Sequence, residues 1–364
     1  MAQMRKVSYV HTLSYTVDAA EELAHLLLHN PSTTTPHDFE KVYFVSSGSE
    51  ANDAAMKLSR QFFFEQGQTQ RKYFVARRQA YHGNTIGSMS VSSFVARKIP
   101  YEDILLPHVS FVAPAYTYQY AQASESEVQY CTRLIAKLEA EFQRLGPENV
   151  ISFIAEPVVG ATSGCVTSPR GYFPAEVVPD AVVVGKGLGG GYAQIAAVVI
   201  SRKIVDGLRR GSSASNHGPT YQAHAVACAT ALAVQRMVSR EGLVQRCAEM
   251  GRLLEKLLRE TFEESKYVGD IRGRGLFWAL EFVKDKATKS PLPKVVGFGL
   301  GVQQVAFDLG VALYPGGATV DGVNGDHVLI APPYTVSEAD LTTIVRVLKE
   351  AYDLKAKSLE NLNL

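Results

Sequence analysis

The segment Val42-Tyr43-Phe44-Val45-Ser46-Ser47-Gly48-Ser49-Glu50 joins a short apolar run to a helix-period pattern at Ala51, Ala54, Ala55, Leu58 and Phe62. Such a sequence reads as a buried strand, a tight turn and an amphipathic helix. Working outward, strand-like runs recur at Tyr73–Ala76, Val109–Val112, Val150–Ala155, Ala181–Val184 and Ile195–Ile200, with helical patterns at Thr16–Leu28, Val128–Leu145 and Gln222–Val238. Strands alternating with helices predict an α/β fold whose sheet is largely parallel and covered on both faces.

Leu243–Phe262 is rich in charge and has no glycine after Gly251, so it reads as a long surface helix leading out of that sheet. Beyond it, Phe277–Val283, Gly310–Tyr314 and His327–Ile330 read as strands, and Val302–Leu309 and Ser337–Tyr352 as helices. This predicts a large α/β domain over residues 1–240, then a linker helix and a small α+β domain over 241–364. Lys284–Lys294, with four lysines and two prolines, is the best loop candidate.

Composition narrows the function. The 364 residues are 46% hydrophobic and 20% charged, with 37 Lys plus Arg against 36 Asp plus Glu. A net charge of +1 supplies no electrostatic footprint for a general nucleic-acid binder or an anionic-membrane binder. Small-molecule chemistry is the expectation. The four cysteines are dispersed, with no C-x-x-C pair, so neither a zinc site nor a disulfide framework is indicated. No run approaches the ~18 apolar residues of a membrane span, and the N-terminus lacks the apolar core of a signal peptide. An intracellular, reducing, cytoplasmic setting is expected.

Four motifs could carry chemistry. In the turn Ser47-Gly48-Ser49-Glu50, a strand hands over to a helix whose free N–H groups and dipole suit a phosphate. Ser47-x-x-Glu50 is equally the spacing of a plain capping box. Gly185-Lys186-Gly187-Leu188-Gly189-Gly190-Gly191 follows a strand. A Walker loop would need Ser or Thr after the lysine, where Gly187 stands. A dinucleotide fingerprint fits by letter, but needs a helix next, and Ile195–Ile200 reads as a strand. A third reading is a strand-end lysine among glycines, whose amine can form a Schiff base with a bulky ligand lying against the backbone. A lysine on an exposed turn is the plain alternative. Finally, Ala80-Tyr81-His82-Gly83 and Glu156-Pro157 each follow a strand. There an aromatic ring can stack on a flat heterocycle and a carboxylate can bond a ligand, or both can serve ordinary packing.

Taken in order, these pieces resemble the class III pyridoxal-phosphate-dependent aminotransferases, of fold type I. The likeness rests on Val45–Asp53, Tyr81-His82-Gly83, Glu156–Gly160, Pro179-Asp180 with Gly185-Lys186-Gly187, Gly218-Pro219-Thr220-Tyr221 and Arg272-Gly273-Arg274-Gly275-Leu276. The resemblance implies pyridoxal 5′-phosphate as cofactor, with no metal, and an amino group moved between an amine or amino acid and a keto acid or aldehyde. It implies Lys186 as Schiff-base lysine and proton shuttle, Gly48 and Ser49 on the cofactor phosphate, and Tyr81 stacked on the ring. His82 and Glu156 would stand close by. Thr220 would reach the neighbouring subunit's cofactor, so a homodimer is implied.

Two departures from the family pattern are visible. The family has a strand ending in Asp-Glu before Pro179-Asp180, and its Asp pairs with the pyridine nitrogen; here only Phe173–Val178 occupies that interval. The chain also opens just before the first large-domain helix, without the family's N-terminal arm. The missing carboxylate predicts weakened transamination, because an unprotonated ring accepts carbanion charge poorly. A non-catalytic relative that keeps a dimerising, cofactor-binding fold is the alternative. The chain reads Val328-Leu329-Ile330-Ala331-Pro332-Pro333 where some members carry a carboxylate-clamping arginine. Arg272 or Arg274 could substitute, although a structural ion pair suits them better.

Overall fold

The computed structural model describes residues 2–29, 37–174 and 177–361. Its strands in chain order are β1 (Phe39–Val45), β2 (Tyr73–Arg77), β3 (Val109–Val112), β4 (Val150–Ile154), β5 (Val158–Val159), β6 (Val166–Thr167), β7 (Ala181–Val184) and β8 (Ala196–Ser201). β9 (Val268–Arg274), β10 (Phe277–Asp285), β11 (Ser290–Pro291), β12 (Tyr314–Gly317) and β13 (Asp326–Ile330) follow.

The first eight strands form a mixed arrangement. β3, β2 and β4 are hydrogen-bonded in parallel. β8 lies between β1 and β7 and runs against both, so β1 and β7 run parallel to one another. Among the described residues β4 pairs only with β2, and β7 only with β8, so the sheet is two three-stranded halves. The break falls between Ile154 and Ala181, the interval in which the resemblance called for a further strand. Glu176, in the connector expected there, lies outside the described residues.

The Gly48–Glu65 helix spans the break. Its Ala51, Ala54, Leu58 and Phe62 pack on Val45, Ala196, Val198 and Ile200 of one half. Met56 turns instead to Phe74, Ala76 and Ile151 of the other half. A 3.6-residue period lets one helix bury two adjoining stripes, so the two halves share a helical roof without sharing a strand pair.

The C-terminal residues build their own core. The Leu243–Phe262 helix contributes Leu254, Leu258 and Phe262, which meet Leu280 and Phe282 of β10, Phe298, and Leu341 and Leu348 of the Glu338–Asn361 helix. Several details differ from the sequence reading, among them Lys284–Lys294, expected as a loop, which carries the end of β10 and the short β11 paired to it. β9 forms where no strand was predicted, because its glycines interrupt the apolar alternation and only pairing with β10 fixes it. β12 begins at Tyr314 rather than Gly310, since Gly310 sits at φ +93° at the end of a helix.

Candidate active site

The strand ends converge first. Val45 of β1 is opposite Ala196, and Val184 of β7 is opposite Ala197. The Ser47–Glu50 turn and the Gly185–Gly187 turn therefore leave the same edge of this half-sheet, two strand spacings or about 10 Å apart. A 3-10 turn over Lys186–Leu188 and then β8 follow the lysine, so the helix required by a dinucleotide fingerprint is not there. Lys186 is exposed and holds φ +47°. That left-handed conformation costs a non-glycine residue roughly 1–3 kcal/mol. Gly187 lies beside Tyr334, whose hydroxyl would be 3.8 Å from a methyl group there.

The serine turn is a capping box and also leaves donors over. Ser47 Oγ accepts from Glu50 N–H at 3.2 Å, while the Glu50 carboxylate accepts from Ser46 N–H at 2.8 Å and from Ser47 N–H at 3.2 Å. Gly48 and Ser49 occupy the first two helical positions, whose N–H groups have no partner inside a helix. The space beside Gly48 is open, with nothing within 4 Å of where a Cβ would stand. An anion is suited to that place: it has two backbone donors, a helix dipole and room. The fit to a phosphate thus holds together with the cap.

A second loop is fastened to this turn. Asn84 N–H donates to Ser49 Oγ, which donates to Asn84 Oδ1, both at 3.0 Å. Ser88 Oγ donates to Ser49 O at 2.8 Å. Gly83, at φ +143°, packs so closely that a methyl group would lie 2.5 Å from Ser49 Oγ. Asn52 donates to the carbonyl of His82, and His82 N–H donates to Ser92 Oγ at 2.8 Å. These bonds carry the half-buried Tyr81 and the buried His82 to the mouth of the serine turn.

Glu156 closes the constellation from the end of β4. Its Oε1 accepts from Tyr81 N–H at 2.8 Å. Burial pushes its carboxyl above the ordinary carboxylate range, while the Tyr81 bond and the charges of Arg77 and Lys186 act the other way. Burial also holds His82 down at about 4, with the Arg77 charge adding to the effect, so His82 is neutral at physiological pH. Its Nε2 is out of water and has no hydrogen-bond partner among the described residues.

Sequence reasoning missed Arg77 and Arg97. Arg77 is buried at the end of β2, donates to Ser168 Oγ at 2.8 Å and to the carbonyl of Glu156, and lies over the Tyr172 ring. Arg97 places its guanidinium 5.6 Å from the centroid of the Tyr81 ring. The strand-end position of Arg77 was the one available signal. Thr220, by contrast, is exposed, in a segment tied to β1 by the Ala223 N–H bond to Phe44 O at 3.1 Å and by the Tyr43 hydroxyl, which donates to Gln222 Oε1 at 2.6 Å. No hydrogen bond or ion pair among the described residues joins Thr220 to the other predicted site residues. Arg272 is fully engaged elsewhere. It pairs with Glu281 at 2.6 Å and Asp270 at 2.9 Å, donates to Gly164 O at 2.6 Å and stacks over Tyr116. It is the structural ion pair rather than a substrate clamp.

A strand-end lysine, an open anion cradle and a ring-bearing loop at one sheet edge define a pyridoxal-phosphate-dependent transferase of fold type I. Comparison with known proteins gives the particular group. The signature of the aminotransferase class-III family matches residues 1–176 and 171–352, and the chain belongs to that family. It is therefore a transaminase, with pyridoxal 5′-phosphate as its cofactor. An uncharacterized aminotransferase of Schizosaccharomyces pombe is 39% identical over 381 aligned positions, covering 96% of this chain and 82% of the relative. Vanillin aminotransferase of Capsicum annuum is 32% identical, covering 96% and 80%. Among solved structures, the omega transaminase from Pseudomonas jessenii in complex with PMP superposes with a TM-score of 0.89 at 29% identity, covering 98% of this chain and 83% of that one. The two family matches meet at 171–176, beside the break in the sheet. Among the described residues no helix is long and apolar enough to cross a membrane.

Proposed function

We propose that this transaminase works through Lys186 at the edge shared by β1 and β7, with Gly48 and Ser49 as the phosphate cradle, Tyr81 as the ring-stacking face, and His82 and Glu156 beside them. When bound, pyridoxal phosphate supplies an aldehyde for the amino group and an aromatic ring that draws electrons from the reacting carbon. Everything else falls to the chain. Lys186 Nζ holds the cofactor between turnovers and, once released, carries a proton to and from the substrate carbon. The Gly48 and Ser49 N–H groups bind the phosphate oxygens, and the helix dipole adds to the attraction. Glu156, fixed by the Tyr81 N–H, orients the ring-facing loop and counters the Lys186 charge. Neutral His82, held through its backbone by Asn52 and Ser92 Oγ, fixes the path of that loop.

One observation carries this reading: Tyr81, Glu156 and the serine turn are bonded into a single unit at the edge from which Lys186 emerges. The donor is an amine or amino acid and the acceptor a keto acid or aldehyde. Residues 1–240 and 241–364 are read as two domains, with Tyr334 bringing the second to the lysine turn. The exposed Gly218–Tyr221 turn suits a homodimer contact in which Thr220 reaches a second subunit's phosphate. No Asp-Glu pair follows a strand between Gly160 and Lys186 to supply the carboxylate the family sets against the ring nitrogen, which supports slow turnover.

Protein saturated with pyridoxal phosphate should show a visible absorbance band that Lys186→Ala removes while phosphate-dependent cofactor affinity persists. Amine donors should discharge the band in the parent. A parent protein with no band would overturn the assignment of Lys186. Light scattering on the loaded protein tests the dimer, and a monomer at micromolar concentration would remove the role given to Thr220.

A further inference from the structure

Gln79 stands two residues before Tyr81 and holds φ +64°. A left-handed backbone is uncommon for a long side chain, and glycine or asparagine would adopt it at less cost. What glutamine brings is a side chain that reaches across the molecule. Gln79 is 4% exposed, and its Nε2–H donates to the carbonyl of Thr319 at 2.9 Å in the interior. A carbonyl only accepts, so the amide nitrogen faces Thr319 and the amide oxygen faces Tyr120, whose hydroxyl is 3.3 Å away. The same hydroxyl donates to Val320 O at 2.5 Å. The main chain is held as well: Thr162 Oγ1, in the turn between β5 and β6, donates to Gln79 O at 2.8 Å.

Thr319 and Val320 belong to the Ala318–Gly325 loop that joins β12 to β13, 240 residues from Gln79 in the chain. A second contact brings this loop to the same place. Ser93 N–H donates to Ala80 O at 2.9 Å, and Gly322 lies beside Val95, whose Cγ2 would be 3.1 Å from a methyl group on the glycine. Residues 79 and 80 are thus tied to one distant loop, directly and through residues 93–95. The loop has its own anchor, because Thr319 is buried and its Oγ1 is 2.6 Å from His327 Nδ1 in β13. β13 is paired on both edges, with β10 and β12. The segment that carries Tyr81 is therefore braced from a separate sheet.

We propose that Gln79 is a positioning residue for cofactor binding, fastening the Tyr81 segment to the Ala318–Gly325 loop so that a ring held on Tyr81 steadies both. The proposal rests on the stacking role given to Tyr81 above. Gln79 meets no reacting atom; it acts through the carbonyl of Thr319 and the short link to Tyr81. Order imposed by a ligand on one of two bonded loops lowers the cost of ordering the other, and the coupling is reciprocal.

Hydrogen exchange read by mass spectrometry, with and without pyridoxal phosphate, tests this. In the parent, loading should slow exchange about threefold or more in peptides covering 79–84 and also in those covering 318–325. Gln79→Met keeps the length of the side chain and removes the donor. Gln79→Gly suits the backbone angle and also removes the donor, so it is the variant best able to fold. In both, slowing at 318–325 should disappear while slowing at 79–84 persists, and cofactor affinity should fall about tenfold, the worth of one buried hydrogen bond. A role confined to backbone strain predicts the opposite for Gln79→Gly, which would then bind as the parent does or better. Slowing confined to 79–84 in the parent, or undiminished slowing at 318–325 in either folded variant, overturns the proposal. No slowing at 79–84 in the loaded parent removes Tyr81 from the cofactor and the proposal falls with it, so the two failures are read from different peptides.

Discussion

Replacing Gly83 by alanine probes the joint between the serine turn and the Tyr81 loop. The added methyl would lie 2.5 Å from Ser49 Oγ, 2.7 Å from Ser88 Cβ and 2.9 Å from Ser49 Cα. Carbon atoms pack comfortably at about 3.5–4.0 Å. The hydroxyl can rotate away, but Ser49 Cα is backbone and Ser88 is anchored by its own bonds to Ser49 O and Asp53. Relief therefore requires the two loops to part by roughly 1 Å, the difference between these contacts and ordinary packing. Overpacking costs about 1–3 kcal/mol. The φ of +143° adds another strain for a residue with a Cβ, also about 1–3 kcal/mol. Gly83→Ala should thus lose about 2–6 kcal/mol in urea unfolding by this addition. It should also bind pyridoxal phosphate at least tenfold more weakly, because a 1 Å misplacement of positioning groups is expensive. Gly48→Ala separates the two effects. Nothing stands within 4 Å of its Cβ position, so stability should stay within about 0.5 kcal/mol. Cofactor affinity should nevertheless fall, because the methyl enters the cradle. If Gly83→Ala unfolds within 1 kcal/mol of the parent and binds cofactor normally, the proposed joint is wrong.

Three further outcomes follow from the same contacts. Arg272→Leu leaves Glu281 and Asp270 without their buried partner, and chemical denaturation should show a loss of about 3–5 kcal/mol; a change under 1 kcal/mol would refute the ion-pair assignment. Burial holds His82 at about 4 and His327 at about 3, so both are neutral in the folded chain at pH 5. Both take up a proton near pH 6.5 once unfolded, so for each the unfolded state binds more protons and its contribution falls, by about 1.4 kcal/mol per pH unit, as pH drops below that point. Glu281, pushed up to about 8 by burial, opposes them over the same range, so the test is by difference: His327→Asn should lose less stability than the parent between pH 7 and pH 5, and an equal change in both would contradict the assignment. Hydrogen exchange should be faster in β7, paired on one side only, than in β8, paired on both. Equal protection would mean that β7 has a second partner.

Much of the molecule was legible because its signals are local. The Val109–Val112 and Ala181–Val184 strands and the Leu243–Phe262 helix stand where apolar periodicity placed them. The capping box could be read from Ser47-x-x-Glu50, and so could the surplus of free N–H groups at Gly48 and Ser49, since a helix start has more donors than one cap can satisfy. The strand before Lys186, and the absence of a helix directly after its glycines, were likewise legible. The order of the motifs along the chain was enough to indicate the family.

What the chain's local pattern left open depends on partners far away in sequence. Apolar alternation marks a strand but not its neighbour, so only the folded chain reveals that β8 runs against both β1 and β7 and that the sheet divides between β4 and β7. Arg77 and Arg272 acquire their roles from Glu156, Ser168, Glu281 and Tyr116, brought near by packing rather than spacing. Backbone periodicity is a property of consecutive residues, whereas strand pairing and charge compensation belong to surfaces that meet only after folding.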